Sequence, residues 1–248
     1  MQTLLALTQR ELKSFWYSPI AYVVGAFFLL LQGFVFGILV RVLNDPTSDP
    51  SYTIAQAFFG PTFPYIISVL MLVPVLTMRT FSEEKRTGSI ELLLTAPVTD
   101  AQVVLAKFLG AWLAYLSIWS LTIVFFVVLH WFVPFEWGPV LTGYLGNWLL
   151  GGVLIGIGVL ASSLTRNQII AAVLAFVTML MIFYIGILDF LVHDPEASRI
   201  IRYLSLIEHL RGFSRGIIDT RPVTLYLSVT AICLFLTGRV IGNPRWRS

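Results

Sequence analysis

The side chains best suited to chemistry lie together in one charged stretch, residues 79–107, RTFSEEKRTGSIELLLTAPVTDAQVVLAK, within an otherwise apolar chain. Phe81, Ser82, Glu83, Glu84, Lys85, Arg86 and Gly88 offer recognition chemistry, because adjacent carboxylates and cations can form charge-assisted hydrogen bonds with a water-soluble surface. Bond-making chemistry is harder to find. A hydrolase needs a nucleophile beside a base, and a metalloenzyme needs clustered ligands. The three histidines, His130, His193 and His209, fall between apolar runs without HExxH-type spacing, and are expected to be interfacial side chains. The single cysteine, Cys233, lies inside an apolar run and is expected to be a small buried residue. No GxxxxGK[ST] phosphate loop occurs, so any nucleotide chemistry must come from another polypeptide.

The elements that position this stretch follow from composition. The 248 residues are 57% apolar and 12% charged, about half the charged fraction of a soluble domain. A bilayer core of roughly 30 Å needs about 20 apolar residues per helix. Six runs qualify, at 19–40, 61–78, 108–129, 140–163, 168–190 and 222–241. The first follows a polar, basic lead with no small-residue cleavage pattern and is expected to be a retained span. Within that lead (1–18), Leu4, Leu5, Leu12, Phe15 and Trp16 can share one helical side, with Gln9, Arg10, Lys13 and Ser14 on the other. This reads either as an interfacial helix or as a basic flank that orients the first span.

None of the six runs carries Asp, Glu, Lys or Arg at its centre; Asp189 and Arg239 lie near ends. Coupling to an ion gradient is therefore disfavoured, since such transporters keep an ionisable group near midplane. Gln32 and Pro74 interrupt the first and second runs and read as helix-packing features. The fourth run contains Gly152, Gly156, Ala161 and Ser162 near helical spacing, which fits either a tight contact within the chain or a subunit interface.

Basic residues set the orientation. Arg10, Lys13, Arg79, Lys85, Arg86, Lys107, Arg166, Arg239, Arg245 and Arg247 fall on one side, against Arg41, Arg199, Arg202, Arg211, Arg215 and Arg221 on the other. The excess of ten over six expects both termini in the cytoplasm. The tension comes from the fifth loop (191–221), where Asp194–Pro195 is a helix start and Ile200, Ile201, Leu204 and Ile207 recur at helical spacing.

Within the charged stretch, Thr80 and Glu83 have capping-box spacing, Glu83 and Glu84 suit a first turn, and Gly88 ends it. The sequence thus predicts a short exposed helix. Ile90, Leu92, Leu93 and Leu94 then lie back on the membrane or bundle until Pro97. Thr99 with Gln102 starts a second helix, expected to run unbroken to about Trp131, some 45 Å in length, and to project into the cytoplasm by a few turns.

The segment RTFSEEKRTGSIELLLTAPVTDAQVVLAKFLGA resembles the region after the second span in ABC-2-type permeases of ATP-binding cassette exporters, most closely the gliding-motility-type subgroup. ELKSFWYSPIAYVV, SSLTRNQIIA and LSLIEHLRGFSRGIIDTRPV extend the likeness over essentially the whole chain. The resemblance implies an all-α membrane protein, a single domain over 1–248. It would have six transmembrane helices, an N-terminal interfacial elbow helix, a cytoplasmic coupling helix within 79–107, and external helices within 191–221. It further implies a permease subunit that is not itself an enzyme, in a prokaryotic inner membrane. A separate cytoplasmic ATPase would bind ATP and Mg, and a second permease copy or paralogue would complete the pathway through contacts at spans one and five. A periplasmic accessory protein is compatible with this scheme; nucleic acid has no place in it. Phe81, Ser82, Glu83, Glu84, Lys85, Arg86 and Gly88 are then the expected ATPase-coupling residues. The alternative is a non-transporting anchor or assembly component of a motility or envelope complex.

Overall fold

The computed structural model describes residues 2–45, 53–88, 99–189 and 194–242. The expectations for Ile90, Leu92, Leu93, Leu94, Pro97, His193, Arg245 and Arg247 lie outside the described residues. The described chain is helical, without strands. Its helices are α1 (Gln2–Trp16), α2 (Pro19–Leu43), α3 (Ile54–Phe59), α4 (Phe63–Thr77), α5 (Ser82–Thr87), α6 (Asp100–Ser120), α7 (Ile123–Phe132), α8 (Trp137–Ser163), α9 (Gln168–Leu188), α10 (Pro195–Leu204), α11 (Leu206–Ser214) and α12 (Thr220–Gly242). Among the described residues, six stretches are long and apolar enough to cross a membrane: Pro19–Leu43, Phe63–Thr87, Asp100–Phe132, Trp137–Ser163, Gln168–Gly186 and Thr220–Gly242.

Helix α8 is the axis of the bundle. Its 27 residues span about 40 Å, and α3, α4, α6, α9, α11 and α12 all pack on it. Its glycines make this density possible. A Cβ at Gly151 would lie 2.3 Å from the Tyr115 ring, and one at Gly158 would lie 2.2 Å from Thr77 Oγ1. Gly143 and Gly146 admit the rings of Phe59 and Phe213 in the same way. Of the small residues noted in the fourth run, Gly152 faces Trp112, Gly156 faces Cys233 on α12, and Ala161 and Ser162 are buried, so all four pack within the chain.

One polar node lies amid this packing. Asn147, fully buried on α8, accepts hydrogen bonds from the hydroxyls of Tyr65 on α4 and Tyr115 on α6, both at 2.8 Å. Around it, Phe28, Phe58, Phe59, Trp119, Phe126 and Tyr144 form a continuous aromatic cluster, mostly edge-to-face with the Phe59–Phe126 pair stacked. In an apolar surround such amides and hydroxyls fix helix register, because an unpaired polar group is costly there. On α2, Ala21, Gly25, Phe28, Gln32 and Phe36 recur every three or four residues and form its protein-facing stripe, so Gln32 does face helix packing.

Three local expectations change. The helix expected to run from Thr99 to about Trp131 is broken at Leu121–Thr122 into α6 and α7. There the N–H groups of Thr122, Val124 and Phe125 bond back three residues, a tightened 3₁₀-type turn. The Thr122 hydroxyl also pairs with both Trp119 O (2.7 Å) and Tyr144 Oη (2.6 Å), so a buried side-chain bond competes with the helical ladder. On α1 the side turned to the bundle carries Leu4, Thr8, Glu11 and Phe15, while Leu5 stays 59% exposed. This side lies against α6, where Gly110 lets the Glu11 backbone approach so closely that a Cβ would sit 2.7 Å from Glu11 Cβ. His209, expected to be an interfacial side chain, is buried on α11 against the Tyr226 ring.

Candidate functional site

Helix α5 is six residues long, too short to persist alone. Its expected cap does not form. The Thr80 hydroxyl donates to Thr77 O, and the N-cap is Phe81, which makes no side-chain cap bond. The cap comes from α8 instead: Ser162 Oγ accepts the N–H of Phe81 and of Ser82, each at 3.1 Å, and donates to Met78 O at 3.1 Å. One hydroxyl has one donor and two acceptor positions, and all three are used. Next along α5, Lys85 Nζ donates to the carbonyl of Ser163 at 2.5 Å, placing a cation at the C-terminal end of α8. Gly88 closes α5 in the left-handed region, with φ of 72°, as the sequence predicts.

A second attachment runs through Lys107. This residue lies on α6, which begins with the predicted capping box: Thr99 Oγ1 accepts the Gln102 N–H, and the Gln102 side chain accepts the Thr99 N–H. The Lys107 side chain is only 3% exposed, and its Nζ lies 2.6 Å from Glu84 Oε1, 3.4 Å from Glu11 Oε2 and 5.3 Å from the centre of the Phe81 ring. One ammonium therefore ties α1, α5 and α6 together. The other Glu84 oxygen, Oε2, is buried without a partner.

The expected coupling residues thus divide. Phe81 and Ser82 are buried and hold α5 in place. Glu84, expected to be an exposed charge for a partner, is turned inward onto Lys107, because a buried ammonium has few other anions within reach. Lys85 is half-buried against α8. Glu83 and Arg86 form a pair at 2.8 Å on the outer face, followed by exposed Gly88. In the sequence Lys107 reads as a flanking cation and Ser162 as a small packing residue, not as a cap. The single cation of an otherwise apolar helix is the local signal for Lys107, and nothing near Ser162 in sequence marks its role.

Beside α5 an open groove of about 1120 Å³ runs between α1, α2, α4, α6 and the start of α9. Its lining carries the charged residues Glu11, Arg79, Glu83, Glu84, Arg86, Lys107 and Arg166. Its wall is apolar, with Ile20, Val24, Val75 and Ile169. Arg79 Nε donates to Gln168 Oε1 at 3.2 Å, linking the α4–α5 turn to α9. Among the described residues, no group of three or more His, Cys, Asp or Glu side chains could hold a metal ion.

Six apolar stretches long enough to span, one of them the glycine-rich central helix α8, and a short charged helix keyed into three others define a multi-pass membrane protein of the transporter permease class. The chain belongs to the ABC-2 family of transporter proteins, whose model matches residues 40–236. That family is the permease part of such transporters, separate from the nucleotide-binding part, and generally works with a cytoplasmic ABC ATPase. No curated protein sequence matches the chain.

Proposed function

We propose that the chain is the membrane subunit of an ATP-driven exporter, with both termini in the cytoplasm of a prokaryotic cell and its ATPase docking on the outer face of α5. The observation that carries this reading is the two-sidedness of α5. Its inner side is locked to α8 through Ser162 and Ser163 and to α6 and α1 through Lys107. Its outer side presents Glu83, Arg86 and Gly88. A push on such a helix passes directly to three others. ATP and Mg are bound by the partner, and closure of its two nucleotide sites moves α5 together with the cytoplasmic ends of α6 and α8. Most residues of α2, α9 and α12 face outward in the single chain, which supports a second permease copy or paralogue as the other wall of the pathway. The likeness of ELKSFWYSPIAYVV and LSLIEHLRGFSRGIIDTRPV supports the gliding-motility-type subgroup.

The test reverses the exposed pair, Glu83→Lys with Arg86→Glu. The two new side chains can still pair with each other, so α5 keeps its fold while its surface charges are inverted. The expected result is normal membrane insertion with loss of ATPase recovery in pull-down. Equal recovery and equal ATP turnover by the copurified complex refute docking at α5.

A further inference from the structure

At the end of the bundle opposite α5, helices α10 and α11 and the first turn of α12 line an open cavity of about 670 Å³. Its lining carries three guanidinium groups and two carboxylates, and these are not equally engaged. Arg202 is held by Asp189 at 3.0 Å, Glu208 pairs with Arg211, and Asp219 Oδ1 accepts the backbone N–H of Arg221 at 3.0 Å. Among the described residues neither Arg199 nor Arg221 has an ion-pair partner for its guanidinium. His209 also lines the cavity. It is more than nine-tenths buried, its ring meets the Tyr226 ring edge-on at 5.5 Å, and its Nδ1 has no hydrogen-bond partner.

A buried ring nitrogen without a hydrogen bond costs about 1–3 kcal/mol, and a small shift of the ring toward the cavity would let an entering polar group relieve it. Two uncommitted guanidinium groups beside it define that group as an anion with several oxygens in a compact array, which is the geometry of phosphate. The surroundings bear on what carries the phosphate. Ile200, Ile217 and Ile218 are each about 60% exposed beside the cavity. The apolar helix α12 begins at Thr220, so the cavity lies where a span begins, at the depth of lipid headgroups. We infer that this cavity is a phosphate-binding site, filled by the headgroup phosphate of a phospholipid whose chains follow Ile217, Ile218 and the first turns of α12. The site is independent of the α5 reading and would stand if that reading failed.

The experiment uses the full chain, delipidated in detergent, titrated with dihexanoyl phosphatidylglycerol and read by native mass spectrometry. Inorganic phosphate and a dihexanoyl glycerol without phosphate serve as competitors. Wild type is expected to hold about one lipid per chain, and Arg199→Gln with Arg221→Gln should weaken binding at least tenfold. Arg41→Gln, an exposed cation outside the cavity, should leave binding unchanged. An unaltered melting temperature for the double variant keeps the comparison free of folding defects. Failure of millimolar phosphate to compete assigns the site to lipid; competition by phosphate alone assigns the same site to a free anion. Wild-type affinity in the double variant, displacement by the uncharged glycerol, or no binding of either phosphate compound overturns the proposal.

Discussion

Replacing Lys107 by methionine and Glu84 by glutamine, singly and together, tests whether the buried pair holds α5 on the bundle. At a separation of 2.6 Å and an effective dielectric constant of 20, the attraction is about 6 kcal/mol before desolvation. Desolvation offsets roughly half of this, since the ammonium is 3% exposed and the carboxylate 20%, leaving a coupling of about 3 kcal/mol. Each single change leaves a charge behind. Lys107→Met strands Glu84 and loosens Glu11, while Glu84→Gln leaves the ammonium with Glu11 alone at 3.4 Å. Either is expected to cost about 3 kcal/mol, which for a chain of this length corresponds to a fall in melting temperature of about 6–12 °C. The double variant removes both charges, and methionine refills most of the lysine volume, so its loss should match that of one single variant. The assay is thermal unfolding in detergent followed by tryptophan fluorescence. A double loss equal to the sum of the two singles within about 0.5 kcal/mol would show that the pair is not coupled and refute the reasoning.

Asn147→Leu removes the acceptor for two buried tyrosine hydroxyls; at about 0.6–1.7 kcal/mol per bond in a membrane protein it should cost about 1–3 kcal/mol. Adding Tyr65→Phe and Tyr115→Phe removes the orphaned donors and should restore part of that loss in the same melting assay. For topology, cysteines at Thr87 and Glu196, both on exposed positions, are introduced with Cys233→Ser. Glu196 is preferred to its neighbour Ser198, whose hydroxyl is engaged by Asp189. An impermeant thiol reagent applied to intact cells should label only position 196, and labelling at 87 alone would invert the orientation.

The amino-acid sequence by itself determined whatever depends on local or summed properties. Six candidate spans follow from run length against bilayer thickness; among the described residues four of the long apolar helices keep within four residues of those runs at each end, while Phe63–Thr87 runs nine residues further and Asp100–Phe132 begins eight residues earlier. The Thr99–Gln102 cap and the Gly88 stop are legible because they need partners three residues away or a single permitted φ. Asp194–Pro195 opens α10 for the same reason, with Asp194 accepting the N–H of Ala197.

Only the tertiary structure decided which of several locally plausible partners each polar group takes. Thr80 and Glu83 had the right spacing for a cap, yet Ser162, 80 residues or more from the groups it caps, took that role. Glu84 read as a surface charge until Lys107 was found beneath it, and Glu11 meets Lys107 across 96 residues. The glycines of α8 could serve an internal or an external face until the rings of Phe59, Tyr115 and Phe213 were seen to fill them. Helical periodicity reports which residues share a face but not what that face meets. In a chain this apolar nearly every face can be buried, so the rare polar contacts and the points of closest backbone approach select the packing.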